Sequence, residues 1–406
     1  MTRDNPSPRA PRPAAGRRLP FDIAPAISVV GLAIVALVSF ALLGGALPKV
    51  GGSGGDQPGG AIRTPTPSNL VVVPNDPRAA VPGSLLYVKD GNIWIQSGTT
   101  AHQLTTGGRD SMPTWSADGT SIYFVRTKPE FGKWPSGGTI HTYNLEIPSL
   151  LRMNADGSGQ PVVLLTGRLK RGTNTWSYFI REPSITPNGA TAAIVTDGPD
   201  PTVSDIVVKL LDIATGKLTN PHLPESQSLG HQDPAWSPDG KTLLYVKNAR
   251  EGSRGTPAIF RYNVATGKST ALTLAGYTAP AWSHDGKYIA ATLTSTFGTD
   301  VVILDAKTGN ELKRITTDEN SFSPVWSPKG DAIAFFRVEH GVVDLYQMPL
   351  EGTAPNWTLG TPIPLTISAG LDAASRPAWF IPADQLPPPP TATPLATVPA
   401  SASTNP

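Results

Sequence analysis

Hydrophobic and polar residues alternate in short runs through the middle of this chain, and the same turn signal comes before run after run. Ile122, Tyr123, Phe124 and Val125 follow one such turn, Leu243, Leu244, Tyr245 and Val246 another, and Ile333, Ala334, Phe335 and Phe336 a third. Apolar runs of this length, bounded by Gly-containing turns, predict strands joined in hairpins. The turns lie within a repeated heptamer: 113–119 (PTWSADG), 183–189 (PSITPNG), 234–240 (PAWSPDG), 280–286 (PAWSHDG) and 324–330 (PVWSPKG), with a shortened copy at 377–380 (PAWF). Self-similarity at a spacing of 44 to 70 residues marks a solenoid or propeller, whose repeats bury their apolar faces against one another.

Each heptamer reads as two strands joined by a tight turn, because Asp-Gly or Asn-Gly supplies the positive backbone dihedrals a hairpin needs. A second hairpin follows, clearest in 150–166 (LLRMNADGSGQPVVLLT) and 259–273 (IFRYNVATGKSTALT). Four antiparallel strands per repeat make a propeller blade. The tryptophan before each turn (Trp115, Trp236, Trp282, Trp326, Trp379) is then a packing residue between neighbouring blades. At the ends, 85–105 resembles the second to fourth strands of a blade and 376–382 a first strand. Joined, they form one blade that closes the ring and removes the exposed sheet edges. Roughly 300 residues over 83–382 then give six blades of about 50 residues each. The predicted fold is all-β, a six-bladed β-propeller with N/C-terminal ring closure, preceded by one transmembrane helix.

That helix is predicted at 23–47, 25 residues without a charge, enough to cross a hydrocarbon core of about 30 Å. Arg3, Arg9, Arg12, Arg17 and Arg18 precede it against only Asp4 and Asp22, so residues 1–22 are expected to stay cytoplasmic and the propeller to lie outside a single-pass cell membrane. The run exceeds the apolar core of about 7 to 15 residues in a cleaved signal, which favours a retained signal anchor. Residues 48–82, rich in Gly, Pro, Ser and Thr, read as a flexible linker, and the Pro/Thr/Ala-rich residues 383–406 as a disordered tail. The absence of cysteine excludes disulfides, thiolate metal sites and lipoprotein attachment. A net charge of +2 gives no support to bulk nucleic-acid binding.

On the PxWSPDG heptamers and the MNADGSG turn at 153–159, the repeats over 83–382 resemble the WD40-like (PD40) β-propeller of the TolB family. The resemblance implies the fold more than an activity, since such blades occur in periplasmic scaffolds, peptidase accessory domains and some lyases. TolB itself carries an α/β domain before its propeller and works with the Tol-Pal envelope complex; here a spacer and an apolar run stand in that place.

Enzyme readings find little to build on. The only Gly-x-Ser-x-Gly, at 51–55, lies in the glycine-rich spacer with no strand beside it. The six histidines His102, His141, His222, His231, His284 and His340 fall at non-equivalent blade positions, so no metal site is assigned. Turn aspartates Asp118, Asp239 and Asp285 are explained by hydrogen bonding within the turn. No catalytic residue and no cofactor is expected.

Topology places a binding surface instead. The heptamer turns and outer hairpins lie on one face, and the loops from strand two to strand three lie with the inter-blade links on the other. The irregular insertions fall on this second face: 126–148 in blade two with Phe131, Trp134, His141 and Tyr143; 167–181 before blade three with Arg168, Lys170, Arg171, Trp176 and Tyr178; and the loops 197–204, 247–257 and 294–299. The polar residues just before the innermost strands, Arg109, Asp110, Arg181, Glu182, His231, Asp233, Tyr277, Asn320 and Arg376, are expected to line the mouth of the funnel. Of these, Arg109, Asp110, Arg181, Glu182, His231, Asp233 and Arg376, together with Trp134, Trp176 and Tyr178, form the candidate ligand or partner site. The reading is a membrane-anchored extracytoplasmic binding scaffold of bacterial type for an envelope protein or cell-wall glycan. The alternatives are a carbohydrate-active enzyme, lyase or hydrolase, using Asp110, Glu182, His231 and Asp233 as acid and base, and a passive spacer.

Overall fold

The computed structural model describes residues 70–386 except 202–204, 222, 225–229 and 249–256. The basic segment, the apolar run at 23–47, most of the linker and the tail beyond 386 lie outside the described residues. Among the described residues no helix is long and apolar enough to cross a membrane.

Blade one carries β1 (Val81–Lys89), β2 (Asn92–Gly98) and β3 (Thr100–Gln103). Blade two has β4 (Asp110–Trp115), β5 (Ser121–Ser136), β6 (Thr139–Asn154) and β7 (Val162–Thr166), followed by a separate hairpin, β8 (Arg168–Arg171) and β9 (Asn174–Ser177). Blade three has β10 (Arg181–Ile185), β11 (Thr191–Thr196), β12 (Val207–Asp212) and β13 (Leu218–Thr219). Blade four has β14 (His231–Trp236), β15 (Thr242–Lys247), β16 (Ala258–Asn263) and β17 (Lys268–Ala271). Blade five has β18 (Tyr277–Trp282), β19 (Tyr288–Thr294), β20 (Thr299–Asp305) and β21 (Glu311–Arg314). Blade six has β22 (Ser321–Trp326), β23 (Ala332–Glu339) and β24 (Val342–Glu351), with its outer edge split into β25 (Thr358–Leu359) and β26 (Ile363–Pro364).

The ring closes as the sequence predicts. β27 (Ala378–Phe380), from the C-terminal end, pairs antiparallel with β1, giving blade one the order β27-β1-β2-β3. The chain packs against the propeller from further upstream than the linker boundary at 82. Val72 bridges Ile367, Gln347 Nε2 donates to the Arg78 carbonyl at 2.8 Å, and Ala79 and Val81 are buried between blades six and one.

The described core is six clusters, one at each seam between neighbouring blades. A sheet buried on both faces explains why β1, β11, β15, β19 and β23 read as continuous apolar runs. The tryptophans work across these seams. Trp115 Nε1 donates to the Ala378 carbonyl at 3.0 Å and Trp282 Nε1 to Ala235 at 3.1 Å, each carbonyl lying in the preceding blade. Trp379 instead donates to Pro82 within blade one, while the indole nitrogens of Trp236 and Trp326 are buried without a partner.

The heptamer turns are closed by their own side chains. Ser116 Oγ donates to Asp118 Oδ1, which also accepts from the Thr120 amide, and Ser237–Asp239 and Ser283–Asp285 repeat the arrangement. These bonds, led by those from Ser116 and Ser237, hold the Asp118 and Asp239 carboxyls below the ordinary carboxylate range. Where Lys329 replaces the aspartate, Ser327 turns to Asp331.

Replacing Trp282 by Phe keeps an aromatic ring in the seam but removes its bond to Ala235, with an expected cost of about 1 kcal/mol. Trp282→Ala also empties the seam and should cost about 2 kcal/mol or more. The midpoint of urea unfolding, compared with wild type, checks both.

Candidate functional site

The channel wall is built by one backbone device repeated around the axis. In β4, β10, β14, β18 and β22 the pairing with the next strand slips by a bulge. The bulge holds the residue before the heptamer proline: Met112, Glu182, Asp233, Ala279 and Ser323, with φ of 54, 54, 57, 48 and 50°. Non-glycine residues rarely take positive φ, and a bulge is what re-aims such a residue away from its own ladder.

The re-aimed amides bind the preceding blade. Met112 N donates to Ser375 Oγ (3.1 Å), Glu182 N to Met112 Sδ (3.2 Å), Asp233 N to Glu182 Oε2 (2.6 Å), Ala279 N to Asp233 Oδ2 (2.8 Å) and Ser323 N to Thr292 Oγ1 (2.9 Å). The sixth position is Arg376 of blade one, which reaches across the axis. Its Nη1 and Nη2 donate to the carbonyls of Pro280 (3.3 Å) and Pro234 (3.5 Å), and its Nε lies 3.9 Å from Asp233 Oδ1. Blade four stands opposite blade one in the ring, so this side chain bridges the channel.

The second built feature is on the face of the strand-two to strand-three loops. Residues 126–148, expected as an irregular loop, continue β5 and β6 in unbroken register from Ser121↔Asn154 to Ser136↔Thr139. The result is a projecting β arm. Its inner face packs on β9: Trp134 lies 5.9 Å from Trp176, whose ring meets Tyr143 edge-on at 5.0 Å, with Arg171 5.5 Å over Trp134. Gly132 permits this approach, since a Cβ there would sit 2.6 Å from the Thr175 carbonyl and 2.2 Å from Leu145. Ion pairs Glu130–Arg168 and Arg171–Asp200, with Ser177 Oγ donating to the Glu146 carbonyl at 2.6 Å, pin the two hairpins and the blade-three loop together. The outer face shows Phe131, 78% exposed, and Ile140, 61% exposed.

With this geometry in view, comparison with known proteins becomes informative. The pattern of the TolB beta propeller domain matches residues 162–359. The chain carries a TolB-type propeller. TolB from Acinetobacter baumannii shares 20% identity at a TM-score of 0.53, over 76% of this chain and 68% of that one. A structure of the nidogen/laminin complex superposes at a TM-score of 0.51 with 11% identity, over 73% of this chain and 97% of that one. At these identities the likeness concerns the fold alone.

Within this TolB-type propeller the predicted site residues separate into three places. Arg181, Glu182, Asp233 and Arg376 stand at the channel wall; Arg181 Nε is buried without a hydrogen-bond partner and its guanidinium lies 5.9 Å from the Phe179 ring. Trp134 and Trp176 lie inside the arm, and Arg109 pairs with Glu146 at its base (3.1 Å).

The remaining three are corrections to the expected funnel lining. Asp110 lies within β4, not before it, and is buried in a two-pronged pair with Arg126, at 2.6 and 2.7 Å. His231 begins β14 and is 1% exposed; its Nδ1 accepts from the Val208 amide, so Nε2 carries the proton and donates to the Pro224 carbonyl. Burial lowers its pKa, which keeps the ring neutral. Tyr178 packs into the seam between blades two and three and donates to the Thr166 carbonyl at 2.6 Å.

Across the ring, the sequence reading placed the loop 294–299 on this face without singling out its exposed apolar residue, and did not name Leu274. Leu274 is 86% exposed in the link from blade four to blade five, and Phe297 is 77% exposed in the loop after β19. The Ser295 hydroxyl, accepting from the amides of Phe297 and Gly298, builds the turn that presents the ring. The Ser-Thr-Phe-Gly sequence, a bulky apolar residue within turn formers, was the available signal.

The chemistry follows from these commitments. Glu182 and Asp233 are acceptors in the amide ring, Asp110 is held by Arg126 and His231 is buried and neutral, so the four acid and base candidates have structural partners. Among the described residues no group of three His, Cys, Asp or Glu could hold a metal ion. Burial first, then the Asp233 charge, raises the pKa of Glu182 against the opposing pull of Arg181 and Arg376. A carboxyl whose folded pKa exceeds its unfolded value stabilises the fold at pH below the unfolded pKa, and that contribution is lost as pH rises through the folded one. Glu182→Gln keeps an acceptor for the Asp233 amide and removes the charge. The variant should melt higher than wild type at neutral pH, with a flatter dependence of Tm on pH above about 4.3; an unchanged profile would contradict the assignment.

Proposed function

We propose that this protein is a membrane-anchored, extracytoplasmic scaffold that binds an envelope protein or cell-wall glycan, without catalysis, through the face bearing the β arm. The observation that carries the reading is the arm itself. Two hairpins spend their aromatic residues and ion pairs on holding each other rigid, and the outer face is left to solvent with Phe131 and Ile140 displayed. Single exposed apolar residues are ordinary, whereas apolar residues on a stiff projection mark a recognition element. Leu274 and Phe297 extend the same face to the opposite rim. The channel supports this division of labour, because its polar residues tie the blades together and Arg376 spans it. The apolar run at 23–47 and the arginines before it support the anchor and its orientation.

The test shortens both hairpins while sparing the core residues Tyr178 and Ile180: residues 129–146 and 169–176 are each replaced by an Asn-Gly turn. Melting should stay within about 5 °C of wild type, since the buried cluster residues of all six seams are kept and only Leu169, packed at the edge of the seam between blades two and three, is lost. The envelope protein or wall fragment that immobilised full chain retains from envelope extracts should be lost. Retention unchanged in a folded variant would move the site off the arm.

A further inference from the structure

The two ends of the propeller leave by opposite faces. Val72 bridges Ile367 in the link from blade six to blade one, on the arm-bearing face, and the following residues run down that seam to Val81. At the other end, Pro382 and Gln385 line one cleft with Gly119 of a heptamer turn and Asp156 of an outer turn, on the far face. The described N-terminal end of the propeller, at Val72, therefore lies on the side on which the arm stands.

This has a metric consequence if 23–47 is the anchor of the proposed function, on which the inference rests. The 22 residues of 48–69 can span at most about 75 Å. The arm from Lys128 to Ser136 extends about 27 Å at roughly 3.3 Å per residue. That limit exceeds the length of the arm, so a chain anchored at 23–47 can stand with its arm-bearing face toward the bilayer and the arm at its surface.

The chemistry of the arm discriminates between possible occupants. Its tip is Ser136, Gly137, Gly138 and Thr139, with nothing apolar to enter hydrocarbon, whereas interfacial insertion needs a continuous apolar edge backed by cations. The outer face pairs Phe131 with Asn144, Lys133 with Thr142 and Pro135 with Ile140. That mixture of an aromatic, an aliphatic and hydrogen-bonding groups is the composition of a protein interface. Lys128, Lys133 and Lys170 are in none of the salt bridges found among the described residues, which favours an acidic counter-surface. We propose that the partner of this face is the acidic extracytoplasmic surface of a membrane-resident protein, met at the height of the bilayer.

The chain has no cysteine, so single cysteines placed in the full chain report unambiguously. Phe131→Cys probes the arm, Asp156→Cys the far face and Ser39→Cys the apolar run. A photo-crosslinker on each is activated in membranes of the cells that make the protein, and a fluorophore on each is read in phosphatidylcholine/phosphatidylglycerol vesicles with brominated acyl chains. The expected result is an adduct from position 131 with a protein that resists alkaline extraction, at least about tenfold above position 156 and reduced about tenfold by Ile140→Asp. Bromolipid should quench the label at 39 and spare the one at 131.

Quenching at 131 would make the bilayer itself the occupant. An adduct with glycan or an extractable protein, a stronger adduct from 156, or no adduct at 131 would each overturn the proposal. With position 39 quenched, an adduct with glycan or with an extractable protein sinks this inference alone, whereas a stronger adduct from 156 or none at 131 also removes the arm-bearing face from the proposed function. An unquenched label at 39 removes the anchor, and the proposed function and this inference fall together.

Discussion

The residue before each heptamer proline carries the architecture. A bulge gives it a positive φ and turns its amide out of its own sheet, and that amide then bonds to a side chain of the blade before it. The blades are otherwise joined mainly by non-directional packing in six clusters, which sets spacing, with the indole bonds of Trp115 to Ala378 and Trp282 to Ala235 adding direction at two of the seams. An amide bonded to a neighbour's side chain at the axis supplies direction, and five seams use it. The sixth, between blades six and one, is tied instead by the Val72–Ile367 bridge and the Gln347 bond to the Arg78 carbonyl, while Arg376 of blade one reaches to blades four and five across the axis. The polar inventory of the funnel is thus explained by ring closure, at the place where a ligand site was expected.

The surface proposed for recognition lies at the rim instead. The arm is a continuation of β5 and β6 beyond their blade, so its stiffness is inherited from blade two through unbroken pairing. An isolated hairpin of this length is marginal in water; β8 and β9 cover one face of it with Trp176, and Gly132 lets them close in. What is left over is one exposed face on a rigid mount, a geometry suited to recognition and poorly suited to bond-breaking.

The repeats, the blade count and the closing blade were legible in the sequence because turn chemistry is local and recurs: an Asp-Gly or Asn-Gly pair with a serine or threonine two residues earlier writes the same hydrogen bonds each time. The channel ring was not legible. Met112, Glu182, Asp233, Ala279 and Ser323 share a position and no chemistry, since the repeated element is their backbone amide, and Arg376 at the sixth position acts through its side chain. The arm was hidden for a different reason. Pro129, Gly132, Pro135 and Pro148 break the strand pattern, yet prolines are tolerated where a hairpin edge faces solvent, and the glycine is required by β9. Asp110 and His231 were misplaced because their side chains are held inside the blades, Asp110 by Arg126 and His231 between the Val208 amide and the Pro224 carbonyl.

The central claim is that the arm-bearing rim, and neither the channel nor the turn face, meets the partner. Hydrogen–deuterium exchange of the full chain in its native membranes, compared with the purified chain, tests this most directly. The account predicts slowed exchange in 129–146 and 169–177 and unchanged exchange at the heptamer turns 116–120 and 237–241. Protection confined to those turns, or to the innermost strands around Glu182 and Asp233, would contradict it.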